Sequence, residues 1–218
     1  MKLVVLGATG GTGRLVVEQA LAAGHTVTAL VRSPEKLTIR NSSLRVVAGQ
    51  ATDAGDVARA LEGADAVIST LGGSGSVIAD STRAIVAAAP KAGVERVVVL
   101  SSSFVERDRL GAMSRLLTAV AMGSVIKDKS AGEQLLRQSE LDWTVIYASP
   151  LTNGPATGSV EVLPEGTKRR ITERISRADV AAWLVLAATS PEPSRRSVGI
   201  TGGTRTKEDL QLGAARHD

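Results

Sequence analysis

The chain lacks cysteine and is poor in histidine and aromatic residues. Its 218 residues include no Cys, two His, one Phe, one Tyr and two Trp. The absence of Cys excludes disulfides, thiolate nucleophiles and cysteine-ligated zinc. His25 and His217 lie in no pattern typical of a metal site or a serine–histidine–aspartate triad. Few aromatic side chains are present to stack on bases, so we expect no nucleic-acid partner.

Long hydrophobic runs and a strong charge imbalance are also missing. The apolar run from 181 to 188 is too short to span a bilayer, and no secretory signal pattern opens the chain. We therefore expect a soluble, cytoplasmic protein with no membrane partner. The net charge of +4 suits a phosphate-bearing ligand. The length predicts one domain spanning 1–218.

A glycine cluster lies between an apolar strand and a helix, in the segment Gly7-Ala8-Thr9-Gly10-Gly11-Thr12-Gly13. Gly7 permits a sharp turn, Gly10 has no side chain to hold a pyrophosphate away, and Gly13 permits close packing of the helix. The free N–H groups and positive dipole end of that helix then face an anion. The alternative is a tight turn that binds nothing, but a second strand at 26–31 favours dinucleotide binding. The candidate cofactor-binding residues of this turn are Gly7, Thr9, Gly10, Gly11 and Thr12.

The second strand ends in Val31-Arg32-Ser33-Pro34. An NAD-binding chain usually has an acidic residue there to hold the ribose 2′-hydroxyl. Arg32 instead favours a 2′-phosphate through its charge and its planar set of donors, with Lys36 in a position to assist. The predicted cofactor is therefore NADP(H). The alternative for Arg32 is an ordinary solvated surface charge.

Apolar strands alternate with helical stretches over the first two thirds of the chain, which predicts an α/β fold with a doubly wound parallel sheet. The predicted strands are 3–6, 26–31, 44–48, 66–69, 96–100 and 143–147, and the predicted helices are 13–23, 56–61, 78–91 and 129–139. Further on, we expect a small strand pair at 159–163 and 169–172, a helix at 177–188 capped by Ser176, and a strand at 197–201. The part from 148 to 175 is expected to be a small substrate-side insertion, and the tail from 206 to 218 to be partly ordered.

In such a sheet the ligand lies across the carboxyl ends of the strands, so the residues that follow each strand are site candidates. The segment after the third strand can flank an adenine, although Thr52 or Asp53 can instead cap the next helix. The serines after the fifth strand offer hydroxyl groups to a substrate carbonyl or flavin oxygen, or else form a capped turn. The segment 108–129 is expected to form a helical wall over the pocket, unless its Met and Leu residues serve packing alone. The candidates at this edge are Gln50, Ala51, Leu71, Gly72, Ser101, Ser102, Pro150 and Leu151.

With these segments placed, the chain resembles the atypical short-chain dehydrogenase/reductase group of NAD(P)H-binding proteins. The similar branch contains NmrA-like proteins and the biliverdin-IXβ reductase/flavin reductase. The similarity runs from Gly7 to about Gly203 and implies a single Rossmann-type domain. It is carried by the glycine turn and by Val31-Arg32, Val97-Val98-Val99-Leu100-Ser101-Ser102, the segment from Leu136 to Val145, Gly154-Pro155-Ala156-Thr157-Gly158 and Ile175-Ser176-Arg177-Ala178-Asp179-Val180.

The resemblance also implies roles for individual residues. Ser102 matches the active-site hydroxyl of the flavin reductase, and Leu71 and Gly72 match the central ribose region. Pro150 and Leu151 match the loop whose backbone meets the nicotinamide carboxamide. Pro150 and Lys129 nevertheless stand where that reductase carries histidines, which argues against biliverdin as the substrate.

The Tyr-x-x-x-Lys pair of ordinary short-chain dehydrogenases is absent. Val125 stands four residues before Lys129, and the only tyrosine, Tyr147, has Leu151 four residues after it. An alcohol dehydrogenase or a sugar-nucleotide epimerase therefore fits poorly. A reductase of a small-molecule acceptor such as a flavin or quinone fits better, with Ser102 orienting the acceptor and Lys129 supplying positive charge. The alternative for Lys129 is a solvated surface role. For the whole protein, the alternatives are a non-catalytic NADP(H) sensor of the NmrA-like kind or a relative of the sugar-nucleotide epimerases and dehydratases.

Overall fold

The protein is built around one large sheet with helices on both faces. The computed structural model describes residues 1–73, 75–170 and 172–203, without the side chains of 113, 114, 120 and 121. The strands are β1 (Lys2–Leu6), β2 (Thr26–Val31), β3 (Leu44–Ala48), β4 (Ala66–Ser69), β5 (Arg96–Ser102), β6 (Asp142–Ala148), β7 (Leu151–Thr152), β8 (Val160–Leu163), β9 (Ile175–Ser176) and β10 (Arg196–Gly202). The α-helices are α1 (Gly11–Ala22), α2 (Ala54–Leu61), α3 (Val77–Ala88), α4 (Ala112–Gln138) and α5 (Arg177–Thr189).

The sheet has the strand order β3-β2-β1-β4-β5-β6-β10-β8, and β7 and β9 pair separately. Its strands run parallel except for β8, which pairs antiparallel with β10. This is the doubly wound Rossmann-type arrangement in a single domain, as the alternation of strands and helices predicts. The first three strands follow one another towards one edge of the sheet, whereas β4, β5 and β6 follow towards the other, so the strand order switches between β1 and β4. In sheets of this kind the ligand crevice lies at that switch point, at the carboxyl ends of the strands.

Two apolar layers hold the sheet between its helices. Alternate residues of the central strands point to opposite faces, so Val5 and Ile68 pack with α1 and α5, whereas Val4 and Val67 pack with α2, α3 and α4. These four side chains are fully buried. Burying one such side chain contributes about 1.5 to 3 kcal/mol, so the central strands are the rigid base of the molecule.

The register of the sheet brings the ends of the central strands to one edge. Leu6 at the end of β1 pairs with Leu30 of β2 and Ser69 of β4, and Ser102 at the end of β5 pairs with Ala148 of β6. The segments that follow these strands therefore leave the sheet side by side. This edge carries the site described below.

Most element boundaries agree with the sequence pattern, since β2, β3 and β4 have the predicted limits. Gly24, Gly63 and Gly93 follow helices with φ of 81°, 68° and 71°, the left-handed conformation expected of glycine caps. Ser176 caps α5 by accepting a hydrogen bond from the Asp179 backbone N–H, as predicted. Among the described helices, none has the length and hydropathy needed to cross a membrane.

Two predicted elements differ. The helix expected at 129–139 is the last part of α4, which starts at Ala112 and continues through Gly123. The strand pair expected at 159–163 and 169–172 is wrong, because β8 pairs with the free edge of β10. Arg169 forms only an isolated bridge with Leu110, and its side chain is drawn into a buried ion pair with Glu106. The tail expected from 206 onward lies outside the described residues.

Candidate functional site

The turn between β1 and α1 is held in a conformation that only glycine permits. Gly7 has φ of +86°, and its carbonyl oxygen accepts a hydrogen bond of 2.9 Å from the Gly10 N–H. A Cβ on Gly13 would lie 2.1 Å from the Gly7 carbonyl oxygen, so the first turn of α1 packs directly on this loop. The turn therefore depends on Gly7 and Gly13 for its shape.

The start of α1 presents free backbone donors. Its N-cap, Gly10, makes no side-chain cap, and the first turn contains no acidic residue. Gly10 and Gly11 are exposed, whereas Thr12 is buried and Thr9 is half-buried. The N–H groups and the positive end of the helix dipole are therefore accessible to an anion such as a pyrophosphate.

The Arg14 side chain hydrogen bonds to the backbone of this turn. Its Nε donates to the Thr9 carbonyl oxygen at 3.2 Å, and its guanidinium also donates to the Lys36 carbonyl oxygen at 2.5 Å. Lys36 ends the 3-10 turn Pro34–Lys36, which follows β2. Arg14 thus ties the glycine turn to the segment that carries Arg32, a connection that the sequence pattern did not indicate.

Arg32 lies at the end of β2, directly after Val31. Its side chain is exposed, and no ion pair or hydrogen bond engages it among the residues that the structure describes. The short turn that follows carries Lys36 in an exposed position. This corner of the site is therefore free to receive a phosphate.

The loop after β3 is organised by two aspartates rather than by Gln50. Asp53 caps α2 by accepting from the Asp56 backbone N–H at 2.8 Å, so the predicted helix cap is present and Asp53, not Thr52, provides it. Asp56 in turn accepts from the Gln50 N–H at 2.7 Å, and this hydrogen bond lowers the pKa of the Asp56 carboxyl, with Arg59 adding to the effect. Gln50 is exposed and Ala51 half-buried at the surface of this loop.

The segment after β4 packs against the glycine turn. The Thr70 hydroxyl donates to the Leu6 carbonyl oxygen at 3.1 Å, and a Cβ on Gly7 would lie 3.2 Å from the Leu71 backbone nitrogen. Leu71 is half-buried, and Gly72 is exposed with nothing near its Cβ position. The structure thus brings Leu71 and Gly72 beside the glycine turn.

Ser101 points away from the open edge, towards α4. Its hydroxyl donates to the buried carboxylate of Glu133 at 2.6 Å, and the Tyr147 hydroxyl donates to the other oxygen of that carboxylate. Burial raises the pKa of Tyr147, and the neighbouring Glu133 charge raises it further. Arg137 donates to the Tyr147 oxygen at 2.8 Å. These side chains tie β5 and β6 to α4, and they occupy the Ser101 hydroxyl proton.

Ser102 is the last residue of β5, and Lys129 of α4 contacts the backbone of the same strand. The Ser102 oxygen accepts from the Phe104 N–H at 3.4 Å, while no acceptor engages its hydroxyl proton within the described ranges. The Lys129 ammonium donates to the Leu100 carbonyl oxygen at 3.2 Å and lines a small cavity with Ser101. Burial lowers the pKa of Lys129, and the charges of Glu133 and Asp128 oppose this effect.

Asp128 explains why α4 lies where it does. Its carboxylate accepts from the backbone N–H groups of Ile78 and Ala79, each at 2.9 Å, and so caps the start of α3 from the neighbouring helix. Gly132 permits the close approach, since a Cβ there would lie 3.0 Å from the Thr82 hydroxyl oxygen. These contacts fix the position of α4, and with it that of Lys129, relative to β5.

The segment after β6 is bound to the start of α5. The Pro150 carbonyl oxygen accepts from the Ile175 N–H at 3.1 Å, and Leu151 pairs with Ile175 in the short β7–β9 ladder. Both residues are half-buried. The loop expected near the nicotinamide is thus supported by protein contacts.

The start of α5 carries Arg177 and Asp179. Both lie in the segment that carries the family resemblance, but the sequence analysis predicted no role for either. The buried Asp179 carboxylate accepts from the Thr157 N–H at 2.9 Å and the Gly158 N–H at 3.0 Å. Burial alone would raise its pKa, but the hydrogen bonds from Ser176, Thr157 and Gly158 outweigh it and hold the pKa of Asp179 below its ordinary value. Arg177 donates to the Asn153 side-chain oxygen and lies against Gly11.

Within the part of the chain that the structure describes, no group of three or more His, Asp or Glu residues could hold a metal ion. This edge of the sheet presents a glycine turn at an uncapped helix start, an exposed arginine, a serine hydroxyl and a half-buried lysine.

Comparison with known proteins agrees with this geometry. The model of a family described as NAD(P)H-binding matches residues 7–191. An uncharacterised chloroplastic protein of Arabidopsis thaliana is 32% identical over 214 residues, covering 91% of this chain and 76% of its own. A (4-alkanoyl-5-oxo-2,5-dihydrofuran-3-yl)methyl phosphate reductase of Streptomyces griseus is 30% identical over 205 residues, covering 92% of this chain and 67% of its own. Among solved structures, the anaerobillin reductase ChuY of Escherichia coli O157:H7 matches with a TM-score of 0.80 and 26% identity, covering 94% of this chain and 99% of its own.

Proposed function

Because the chain belongs to the NAD(P)H-binding family and the proteins similar to it include reductases, we propose that it is an NADPH-dependent reductase of a flavin, quinone or similar conjugated acceptor. The observation that carries this choice is the position of Tyr147. It is the only tyrosine, and it is buried against Glu133 with a raised pKa. A reaction that takes its proton from a protein phenol therefore lacks the necessary group, whereas flavin and quinone reduction can take protons from solvent.

The residues present fit the cofactor. Gly7 and Gly13 shape a cradle that a Cβ would fill, and the free N–H groups at Gly11 and Thr12 suit the pyrophosphate. Leu71 and Gly72 would meet the central ribose region, and the Pro150–Leu151 backbone the carboxamide. When bound, the cofactor supplies the hydride.

Arg32 would hold the 2′-phosphate and select NADPH over NADH. Its exposed guanidinium has no partner among the described residues, and the segment 31–34 contains no carboxylate to repel a phosphate. A charge-assisted hydrogen bond contributes roughly 1.5 to 3 kcal/mol, which corresponds to about 10- to 150-fold in affinity. Gln50 and Ala51 would flank the adenine on the same side.

Ser102 would orient the acceptor, because its hydroxyl proton has no acceptor among the residues described. Lys129 would supply positive charge near the anion that develops on the acceptor, through the electrostatic effect of a half-buried ammonium. Ser101 would contribute only its backbone to the cofactor-facing end of β5, because Glu133 holds its hydroxyl.

The test is NADPH oxidation with a panel of flavin and quinone acceptors, followed by the variants Ser102→Ala and Tyr147→Phe. We expect Ser102→Ala to lower kcat, and Tyr147→Phe to keep most of it despite a loss of stability. A Tyr147→Phe variant that is folded but inactive would show that the phenol takes part in the reaction. No turnover with any acceptor would refute the enzyme hypothesis.

A second candidate is a non-catalytic NADP(H) sensor. It is favoured by the internal use of two polar groups, since Ser101 is bound to Glu133 and Lys129 to the Leu100 carbonyl. A sensor would bind NADP⁺ or NADPH without turnover and would recruit a protein partner only when the cofactor is present. Cofactor-dependent co-purification of a partner by an inactive protein would favour it over the reductase.

A further inference from the structure

A cationic side chain from α5 lies beside the glycine turn. A Cβ on Gly11 would be 3.3 Å from both Cδ and Nε of Arg177. Arg177 is the first residue of α5, and α1 and α5 pack together over the same face of the sheet. The absence of a side chain at Gly11 therefore lets the arginine lie directly against the start of α1.

No carboxylate of the described residues forms an ion pair with Arg177 at this position. The start of α1 already carries the positive end of a helix dipole, with no acidic residue in its first turn and no side-chain cap. Within the described part of the chain, Arg177 hydrogen bonds only to the neutral Asn153 side chain. A guanidinium beside a helix N-terminus is stabilised when an anion lies between them.

We propose that Arg177 binds the cofactor pyrophosphate from its position beside Gly11, and that Asn153 is the positioning residue that aims its guanidinium. This inference rests on the proposed function for the identity of the anion as a dinucleotide pyrophosphate. It adds a side chain to a site that the sequence motif describes through backbone groups alone.

The surrounding contacts make the arrangement rigid. Ser176 caps α5, and the Asp179 carboxylate holds the backbone of Thr157 and Gly158. Hydrogen bonds therefore hold the backbone close to Asn153 and at Arg177. The Asn153 hydrogen bond already orders the Arg177 guanidinium. Arg177 therefore loses little conformational entropy when it binds a phosphate group through two hydrogen bonds.

The experiment compares a ligand that contains the pyrophosphate with one that lacks it. NADP⁺ and adenosine 2′-monophosphate are titrated by calorimetry into the unmutated protein, Arg177→Gln, Arg177→Lys and the control Arg40→Gln. Arg40 is exposed, and no described residue pairs with it. We expect Arg177→Gln to weaken NADP⁺ about tenfold or more while leaving adenosine 2′-monophosphate unchanged. Arg177→Lys should keep the charge and lose only part of the affinity, and the control should change neither ligand.

Each outcome decides the proposal. Unchanged NADP⁺ affinity in a folded Arg177→Gln protein overturns the role of Arg177 and leaves the proposed function intact. An equal loss for both ligands in that variant also overturns it, because it shows general damage to the site. Failure of the unmutated protein to bind NADP⁺ would overturn the proposed function itself. A weaker dependence of NADP⁺ affinity on salt in Arg177→Gln supports a direct contact.

Discussion

Substituting Gly13 with alanine tests whether the glycine turn is as tightly constrained as the geometry indicates. The new Cβ would lie 2.1 Å from the Gly7 carbonyl oxygen, 2.7 Å from its carbon and 2.8 Å from the Thr70 hydroxyl oxygen. The Thr70 side chain can rotate away. The Gly7 carbonyl cannot, because it is backbone and already accepts from the Gly10 N–H at 2.9 Å. The turn or the helix must therefore move.

The expected cost follows from two opposing effects. Overpacking of this kind costs about 1 to 3 kcal/mol, and the backbone contact places Gly13→Ala at the upper end. Alanine is favoured over glycine in a helix by about 1 kcal/mol, which offsets part of the cost. We expect the free energy of unfolding to fall by about 2 kcal/mol. NADPH affinity should fall at least about tenfold, because the displaced turn no longer presents its N–H groups correctly.

Gly123→Ala provides the matched control. Gly123 also lies inside a helix, α4, but nothing lies within 4 Å of its Cβ position. The same substitution there should raise the free energy of unfolding by about 0.5 to 1 kcal/mol. Chemical denaturation gives the stabilities, and calorimetry gives the NADPH affinities. A Gly13→Ala protein as stable as the unmutated one, with unchanged NADPH binding, would refute the reasoning.

Three further predictions concern other residues. Arg32→Ala should weaken NADPH binding by roughly 10- to 150-fold and leave NADH nearly unchanged; equal affinities of the unmutated protein for the two would contradict the assignment. Asp179→Asn should lower the free energy of unfolding at neutral pH. The difference in this free energy between the variant and the unmutated protein should shrink as the pH falls below about 3.9, because the lowered folded-state pKa of Asp179 gives stability that is lost when the carboxyl is protonated. A difference that does not vary with pH would contradict a stabilising role of the Asp179 carboxylate. Asp128→Asn should destabilise the protein by about 1 to 2 kcal/mol in denaturant titrations, because the amide caps α3 less well; an unchanged midpoint would argue against the cap.

The parallel core and the glycine turn are predictable from the sequence because each depends on short-range patterns. Apolar runs such as 3–6 and 66–69 are strands buried between layers. Gly24, Gly63 and Gly93 mark helix ends through their left-handed conformation. In these cases the residue type and its immediate neighbours decide the structure. The same is true of Ser176, which caps α5 from within its own segment.

The features that could not be predicted from the sequence depend on contacts between residues far apart in the chain. The partner of β8 is decided by the free edge of β10, and the position of Arg169 by an ion pair with Glu106, 63 residues away. The orientation of Ser101 towards Glu133 likewise needs the packing of α4 on β5. Glu133 stands four residues after Lys129, on the same helix face. This spacing is the only local signal that the two side chains can interact. The roles of the predicted binding residues stay predictions until a cofactor is bound.

The most direct test of the reductase is a primary isotope effect on NADPH oxidation in a single turnover. NADPH deuterated at either one of the two hydrogens of the hydride-bearing carbon is mixed with excess protein, with and without a flavin or quinone acceptor. We expect acceptor-dependent oxidation that is slowed by only one of the two labelled forms, because the bound nicotinamide presents one face to the acceptor. No oxidation above the acceptor-free rate, or equal slowing by both labelled forms, would contradict the account.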